Sequence, residues 1–306
     1  MRVLFVFIDG VGLGAADARI NALVEGTPRL RGLLGVPPIL AAAPHSSARA
    51  TLVPLDAALG FPGLPQSGTG HATVLTGENA VRLHGRHFGP WVPTRLRPLV
   101  RERSVLARAI ELGRSVAFAN AYPEEVLALT RDGEDTAKRR RTPPFLRAGP
   151  PLAALGAGVL NRHTEALAHG EAVASEIVND GWRERLNRRN VPHIDETTAA
   201  RNLLGIAGTH DLTLFAHYST DTAGHLRDSA QAARAIGRVD TFLGAIADAM
   251  PADLLLVVAS DHGNIEDCTT GHTRNPAFGM VVGSGHAGRA SALKDLTDVA
   301  GAVLAF

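Results

Sequence analysis

A chain of 306 residues is long enough to bury a large core, as one big α/β domain or as a core with a small insertion. An apolar content of 45%, a charged content of 20% and a net charge of +1 describe an ordinary soluble globular protein, with no electrostatic reason to expect nucleic acid or an acidic membrane as partner. The single cysteine, Cys268, excludes an internal disulfide, so nothing demands an oxidising compartment.

The opening "MRVLFVFIDGVG" has an apolar run shorter than a signal segment and no small-residue cleavage site before Asp9. It reads as a first strand over 3–8. No apolar stretch approaches the roughly 20 residues of a membrane helix, so the expected compartment is the cytoplasm. "LPQSGTGHATVLTG" (64–77) predicts a Gly-rich turn leading into a helix. "SVLARAIELG" (104–113) predicts a helix stopped by Gly113, and "SVAFAN" (115–120) a buried strand. Residues 130–195 change texture: a basic, then Pro-rich stretch is followed by "RHTEALAHGEAVASEIVNDGWRERLNRRN" (162–190), which predicts one or two amphipathic helices. This region reads as a small inserted cap at about 125–195, on one sheet edge of a single domain spanning 1–306. Its Arg139–Arg141 triplet suits a solvated face better than a grip on an anion.

Beyond the insertion, helices are expected at 196–208, 229–250 and, closing the chain, 293–306. Strands are expected at "LTLFAHYS" (212–219), "DLLLVVAS" (253–260) and "FGMVVG" (278–283). Continuous apolar, β-rich runs are those of strands buried on both faces. Their alternation with helices predicts an α/β fold with a mostly parallel sheet covered on both faces.

Acidic groups end three of these strands: Asp9 after 3–8, Asp221 after 212–219, Asp261 with His262 after 253–260. In an open parallel sheet the carboxyl ends of the strands share one rim, where ligands bind. A single aspartate at a strand end is ordinarily a helix cap. Several on one rim repel one another unless a cation compensates them. In "DTAGH", Asp221 and His225 are four apart, so one helical turn brings both to one point. In "SDHGN", Gly263 and Asn264 are expected to turn the backbone so that Asp261 and His262 face one side. His272 returns after the loop "GNIEDCTTGH". Mixed carboxylate and imidazole donors suit zinc or manganese better than calcium or magnesium.

Ser67 sits in the Gly-rich turn of 64–77, just before the helix expected there, where free N–H groups and the dipole favour a phosphate. A serine hydroxyl needs a base or a metal to become a nucleophile. Alone, Ser67 reads as a helix cap; beside the metal-ligand pattern it reads as a nucleophile, with Thr69 as fallback.

These motifs resemble the metalloenzyme core of the alkaline phosphatase superfamily, nearest to the branch with cofactor-independent phosphoglycerate mutase and phosphopentomutase. "FIDGVG" resembles that branch's opening aspartate strand, "SGTGH" its nucleophile motif, "DTAGH" its Asp-x-x-Gly-His, "SDHGN" its Asp-His-Gly-Asn and "GHTRNPAF" its last histidine loop. All five occur in the family's order, over roughly 1–120 and 195–306. The resemblance implies an alkaline-phosphatase-like fold and two divalent metal ions, zinc or manganese. Asp221, His225 and His272 would hold one; Asp9, Asp261, His262 and Ser67 would surround the other. It implies phosphoryl transfer to and from a small phosphorylated substrate through a phosphoserine at Ser67. The small insertion favours a phosphoester hydrolase over a phosphomutase, because a small cap leaves the phosphoenzyme open to water.

A sulfatase would need Pro and Arg where Thr69 and His71 stand. A dinucleotide-binding oxidoreductase is poorly matched, because Gly10, Gly12 and Gly14 are spaced G-x-G-x-G and Ala15 holds the place of the final glycine. A catalytically inactive binding module would not require so complete a ligand set. His71, Cys268, His286, Asn120, Tyr122 and the polar "VRLHGRH" segment carry no expected catalytic role. Oligomeric state is not legible.

Overall fold

The computed structural model describes residues 1–131 and 144–306, and the Arg139–Arg141 triplet lies outside the described residues. Its seven strands are β1 (Arg2–Ile8), β2 (His45–Ser46), β3 (Ala50–Leu55), β4 (Val116–Phe118), β5 (Leu212–His217), β6 (Leu254–Ala259) and β7 (Ala277–Val282). They form one sheet in the order β2-β3-β7-β6-β1-β5-β4.

Every residue of β5, β6 and β7 is buried, as their largely apolar runs require, and β5 buries Thr213 and His217 as well. Strand alternation divides the core in two. Val3, Phe5 and Phe7 of β1 face one apolar cluster, while Leu4, Val6 and Ile8 face the other. The first cluster takes in the helices Ser67–Thr76, Val105–Glu111, Gly149–Gly156 and Asp298–Leu304; the second takes in Pro28–Leu34, Glu196–Ala207 and Ser229–Ala249. Burying a single large apolar side chain such as Phe5 or Phe7 is worth about 1.5–3 kcal/mol, so helices on both faces stabilise a fully apolar sheet.

β1 pairs in parallel with β5 and β6, and β4 in parallel with β5. β7 runs against β6, β3 against β7 and β2 against β3, so β3 points the same way as the centre and only β7 and β2 oppose it. The sheet is therefore mixed and mostly parallel, with helices on both faces. The carboxyl ends of β6, β1 and β5 adjoin on one rim, β1 in the middle. The chain from β6 to β7 has no crossover helix, and a direct return of this kind can only deliver an antiparallel strand. β7 therefore starts at the rim where β6 ends.

The sequence pattern missed β3, whose "ATLVPL" is interrupted by Pro54. β2 covers only Thr51 and Leu52, which leaves Pro54 on an uncovered edge where a missing N–H is tolerated. The amphipathic helices expected at 162–190 reduce to Thr164–Ala168 and Asp180–Glu184. The backbone between them is spent on bridges, Asn120 with Val173 and Ala174 with Ile177. The closing helix is confined to Asp298–Leu304. Within 125–195, Leu152, Ala153 and Ala154 join the first core cluster, while Leu167, Ala172, Ala174, Trp182 and Val191 form a small cluster with Ala121.

Candidate metal centre

Asp9 follows β1 directly, is almost fully buried, and its N–H continues the ladder to the His217 carbonyl at 2.9 Å. The sheet order β6-β1-β5 sets its neighbours: Asp261 follows β6 on one side, and Asp221 rides the helix Ser219–Leu226 after β5 on the other. Gly10, with φ +70°, lets the backbone turn between them; a Cβ there would stand 2.7 Å from Asp221 Oδ1. Its N–H donates to Asp261 Oδ1 at 3.2 Å, and Thr220 Oγ1 donates to the Asp9 carbonyl at 2.6 Å. Three carboxylates thus meet at one place because three adjacent strands end there.

The histidines bring lone pairs to the same place. His262 Nδ1 lies 3.2 Å from the Gly263 carbonyl and His272 Nδ1 2.8 Å from the Pro65 carbonyl. A carbonyl accepts only, so each Nδ1 is the donor and, in the neutral ring, Nε2 is left as a lone pair. His262 Nε2 lies 3.4 Å from Asp9 Oδ1, 3.5 Å from Asp261 Oδ2 and 3.9 Å from Asp221 Oδ1. His272 Nε2 lies 3.7 Å from Asp221 Oδ1, and its ring stacks on that of His262 with centroids 4.1 Å apart. His225, one helical turn after Asp221, places Nε2 3.4 Å from Asp221 Oδ2 and 3.2 Å from His272 Nε2.

Two ligand groups result. Asp9, Asp261 and His262 form a fully buried inner group, with donor atoms within 4.8 Å of one another. Asp221, His262 and His272 meet the same limit, and with His225 they form an outer group that opens to solvent through the His225 side chain, 54% exposed. His262 stands between the two.

The charge balance of the inner group calls for a cation. Asp9 Oδ1 and Asp261 Oδ2 are buried and accept no hydrogen bond, a costly state for a carboxylate oxygen. Burial pulls the His262 pKa down, but the charges of Asp261, Asp9 and Asp221 outweigh it and push it up to about 10. Burial raises the Asp221 pKa, and the neighbouring Asp9 charge raises it further. Burial and the nearby His262 push His272 down to about 4, which keeps its Nε2 a lone pair. Orphaned carboxylate oxygens, the bare His272 nitrogen and a His262 nitrogen whose proton a cation can displace, all aimed at common points, fit divalent cations.

Ser67 opens the helix Ser67–Thr76 and is buried beside the inner group. The N-cap is Gln66, and the Ser67 hydroxyl is not used to cap the helix. Its Oγ lies 3.0 Å from His262 Nε2. Thr69 faces elsewhere: its hydroxyl accepts from the Phe88 N–H at 3.2 Å and lies 3.3 Å from the Gln66 carbonyl. The helix approaches so closely that a Cβ at Gly70 would stand 2.8 Å from Asp261 Cβ. The seven residues singled out from sequence as ligands or nucleophile therefore gather in one cluster.

A family model described as "Metalloenzyme superfamily" matches residues 1–306. The chain belongs to the metalloenzyme superfamily. A 103-residue stretch is 32% identical to the 2,3-bisphosphoglycerate-independent phosphoglycerate mutase of Desulforudis audaxviator; the match spans 31% of this chain and 20% of that protein. Among solved structures, the PH0037 protein from Pyrococcus horikoshii is similar over 93% of this chain and 86% of its own, with a TM-score of 0.52 at 13% identity. A variant of the alkaline phosphatase of the Antarctic bacterium TAB5, with magnesium in its M3 site, is similar over 99% and 96%, with a TM-score of 0.51 at 11% identity. These likenesses bear out the alkaline-phosphatase-like fold.

Three further side chains of this metalloenzyme adjoin the centre; His71 and Glu266 carried no expected role, and Asn264 was expected only to turn the backbone. His71 Nε2 lies 3.0 Å from Asp9 Oδ2 and 3.3 Å from Asp261 Oδ2. Its i+4 spacing from Ser67, the same as that of Asp221 and His225, was the available signal. Asn264 Nδ2 donates to Asp221 Oδ1 at 2.7 Å, so Asn264 holds a candidate ligand with its side chain. Gly263 has no positive φ; a Cβ there would collide with Thr273 Oγ1 at 2.2 Å and Glu266 Oε1 at 2.3 Å. Close approach, not turning, is what requires glycine. Glu266 is buried and accepts from Gly12 N at 2.9 Å, Asn264 N at 2.7 Å, Asn275 Nδ2 at 3.0 Å and the Thr273 hydroxyl. Asn120 instead bonds both ways with the Ala216 backbone, at 2.7 and 2.8 Å, and His286 Nδ1 meets Thr51 Oγ1 at 2.8 Å. Cys268 is buried in the second apolar cluster.

Proposed function

We propose that this metalloenzyme is a phosphoester hydrolase that acts on a small phosphorylated substrate through a phosphoserine at Ser67. The observation that carries the reading is the placement of the Ser67 hydroxyl. It sits at a helix N-terminus, uncommitted to capping and 3.0 Å from His262 Nε2, beside carboxylate oxygens that lack partners.

Two divalent cations, zinc or manganese, would be held by Asp9, Asp261, His262 and Ser67 on the inner side and by Asp221, His225 and His272 on the outer side. Such ions would supply charge compensation for a serine alkoxide and for the leaving oxygen. Ser67 Oγ attacks phosphorus and the P–O bond to the substrate alcohol breaks. Water then cleaves the phosphoserine, so that ester and water become alcohol and inorganic phosphate with Ser67 restored. Free N–H groups at the start of the Ser67 helix hold phosphate oxygens. The sheet walls off the inner side, and His225 marks the side on which water enters. The segment at about 125–195 serves as a small cap within a single functional unit of 306 residues.

Replacement of Ser67 with Ala is expected to lower phosphate release by at least about a hundredfold while cation binding by the outer group persists. Wild-type turnover in Ser67→Ala would remove Ser67 from the chemistry. A phosphomutase is the second reading, favoured by the stretch similar to a phosphoglycerate mutase. Free phosphate measured against isomerised phosphoester decides between the two.

A further inference from the structure

His71 is buried to 2% exposure, lies edge-on to Phe7 with centroids 4.9 Å apart, and is not among the side chains given a cation-binding role above. Both of its nitrogens are committed. The backbone N–H of Gly149, at the start of the helix Gly149–Gly156, donates to His71 Nδ1 at 3.2 Å. A donor aimed at Nδ1 requires a lone pair there, so the ring hydrogen sits on Nε2. Nε2–H then faces outward to Asp9 Oδ2 at 3.0 Å and Asp261 Oδ2 at 3.3 Å. A nitrogen that carries hydrogen has no lone pair to give a cation, so His71 acts on the carboxylates and not on the ion.

The contacts of each carboxylate show what this does. Asp261 Oδ1 is held by the Gly10 N–H, and Asp9 Oδ1 is left bare toward His262 Nε2, 3.4 Å away. The N–H bonded to Asp9 Oδ2 also presents its positive end 3.3 Å from Asp261 Oδ2, which draws two mutually repelling anions together and fixes which oxygen of Asp9 stays free. Gly149 approaches so closely that a Cβ there would stand 2.5 Å from His71 Cβ, which seats the insertion's core helix directly on the ring.

We propose that His71 is a positioning residue: its Nε2–H, oriented by the Gly149 amide, holds Asp9 and Asp261 as a preformed pair for the inner divalent cation. The proposal rests on the reading of Asp9, Ser67, Asp261 and His262 as a cation site.

The test is calorimetric titration of the metal-stripped full chain with Mn²⁺, comparing wild type, His71→Gln and His71→Asn, with His225→Ala assigning the outer binding event. Glutamine can present an N–H close to the place of imidazole Nε2, whereas asparagine is too short to reach it. His71→Asn is expected to weaken the inner event about 10- to 100-fold, with the outer event unchanged, and His71→Gln to recover most of the loss. Inner affinity at the wild-type level in His71→Asn overturns the proposal, as does an equal loss in both variants or a loss shared by both events. A variant that loses its metal-free fold by circular dichroism also counts against it, because positioning leaves the fold intact. Wild-type protein that takes up no ion overturns the cation reading and this proposal together; two ions bound with wild-type affinities in His71→Asn overturn this proposal alone.

Discussion

His225 Nε2 and His272 Nε2 face each other at 3.2 Å, two imidazole nitrogens drawn to one point from a helix and from the return loop to β7. Two lone pairs at that distance repel unless a proton or a cation lies between them. His225 is 54% exposed on its side chain, whereas His262 and Asp261 of the inner group are wholly buried. The outer ion is therefore expected to exchange faster. Brief chelation should remove about one equivalent of metal before the second, and His225→Ala should lose that labile equivalent only. Elemental analysis after timed chelation reads this directly; simultaneous loss of both ions would contradict it.

Glu266 is surrounded by donors alone: two backbone N–H groups, the Asn275 amide and the Thr273 hydroxyl. Glutamine would turn one acceptor oxygen into a donor facing other donors. Glu266→Gln is expected to cost about 1–3 kcal/mol of stability and to weaken metal binding about 10- to 100-fold, because the loop it ties down carries both His262 and His272. Thermal unfolding of the metal-free protein and metal titration test the two effects separately. An unchanged affinity would show that the loop holds its shape without this carboxylate.

The strands that build the rim were legible because each is a short, largely apolar run of strand length that stops at a polar turn. "VLFVFI", "LTLFAH" and "LLLVVA" became β1, β5 and β6, and the aspartates after them met where expected. What escaped depends on tertiary direction. β3 is short and broken by Pro54, and the reversal of β7 follows from the missing crossover helix, which no local pattern announces. Glu266 resembled any loop carboxylate, since its four donors come from residues 12 to 275. His71 could be placed on the face of Ser67, but not shown to reach two carboxylates from other strands.

Asp240 illustrates a buried carboxylate with a purely structural task. From the long helix Ser229–Ala249 it accepts from the backbone N–H groups of Arg29, at 3.0 Å, and Leu30, at 2.8 Å. It thus caps the helix Pro28–Leu34, whose own Thr27 makes no side-chain cap. Asp240→Ala is expected to destabilise the fold by about 1–3 kcal/mol without changing metal stoichiometry. Chemical denaturation and metal analysis on one preparation check both halves; a change in stoichiometry would mean that the second core layer reaches the site.

The pH response of the metal-free protein follows from His262, whose pKa the surrounding carboxylates hold at about 10 against an ordinary 6.5. A folded-state value above the unfolded one contributes stability that is complete below about 6.5 and is lost as pH rises through about 10. The midpoint of thermal unfolding without metal is therefore expected to fall between about pH 7 and 10. A cation that takes the His262 Nε2 lone pair displaces that proton, so loaded protein should show a flatter profile. Metal uptake near neutral pH should also release protons, and affinity should weaken as pH drops. Calorimetry in two buffers of different ionisation enthalpy counts the protons released. A midpoint that rises over this range, together with uptake that releases none, would mean that His262 is neutral before the metal arrives and that the carboxylates are compensated elsewhere.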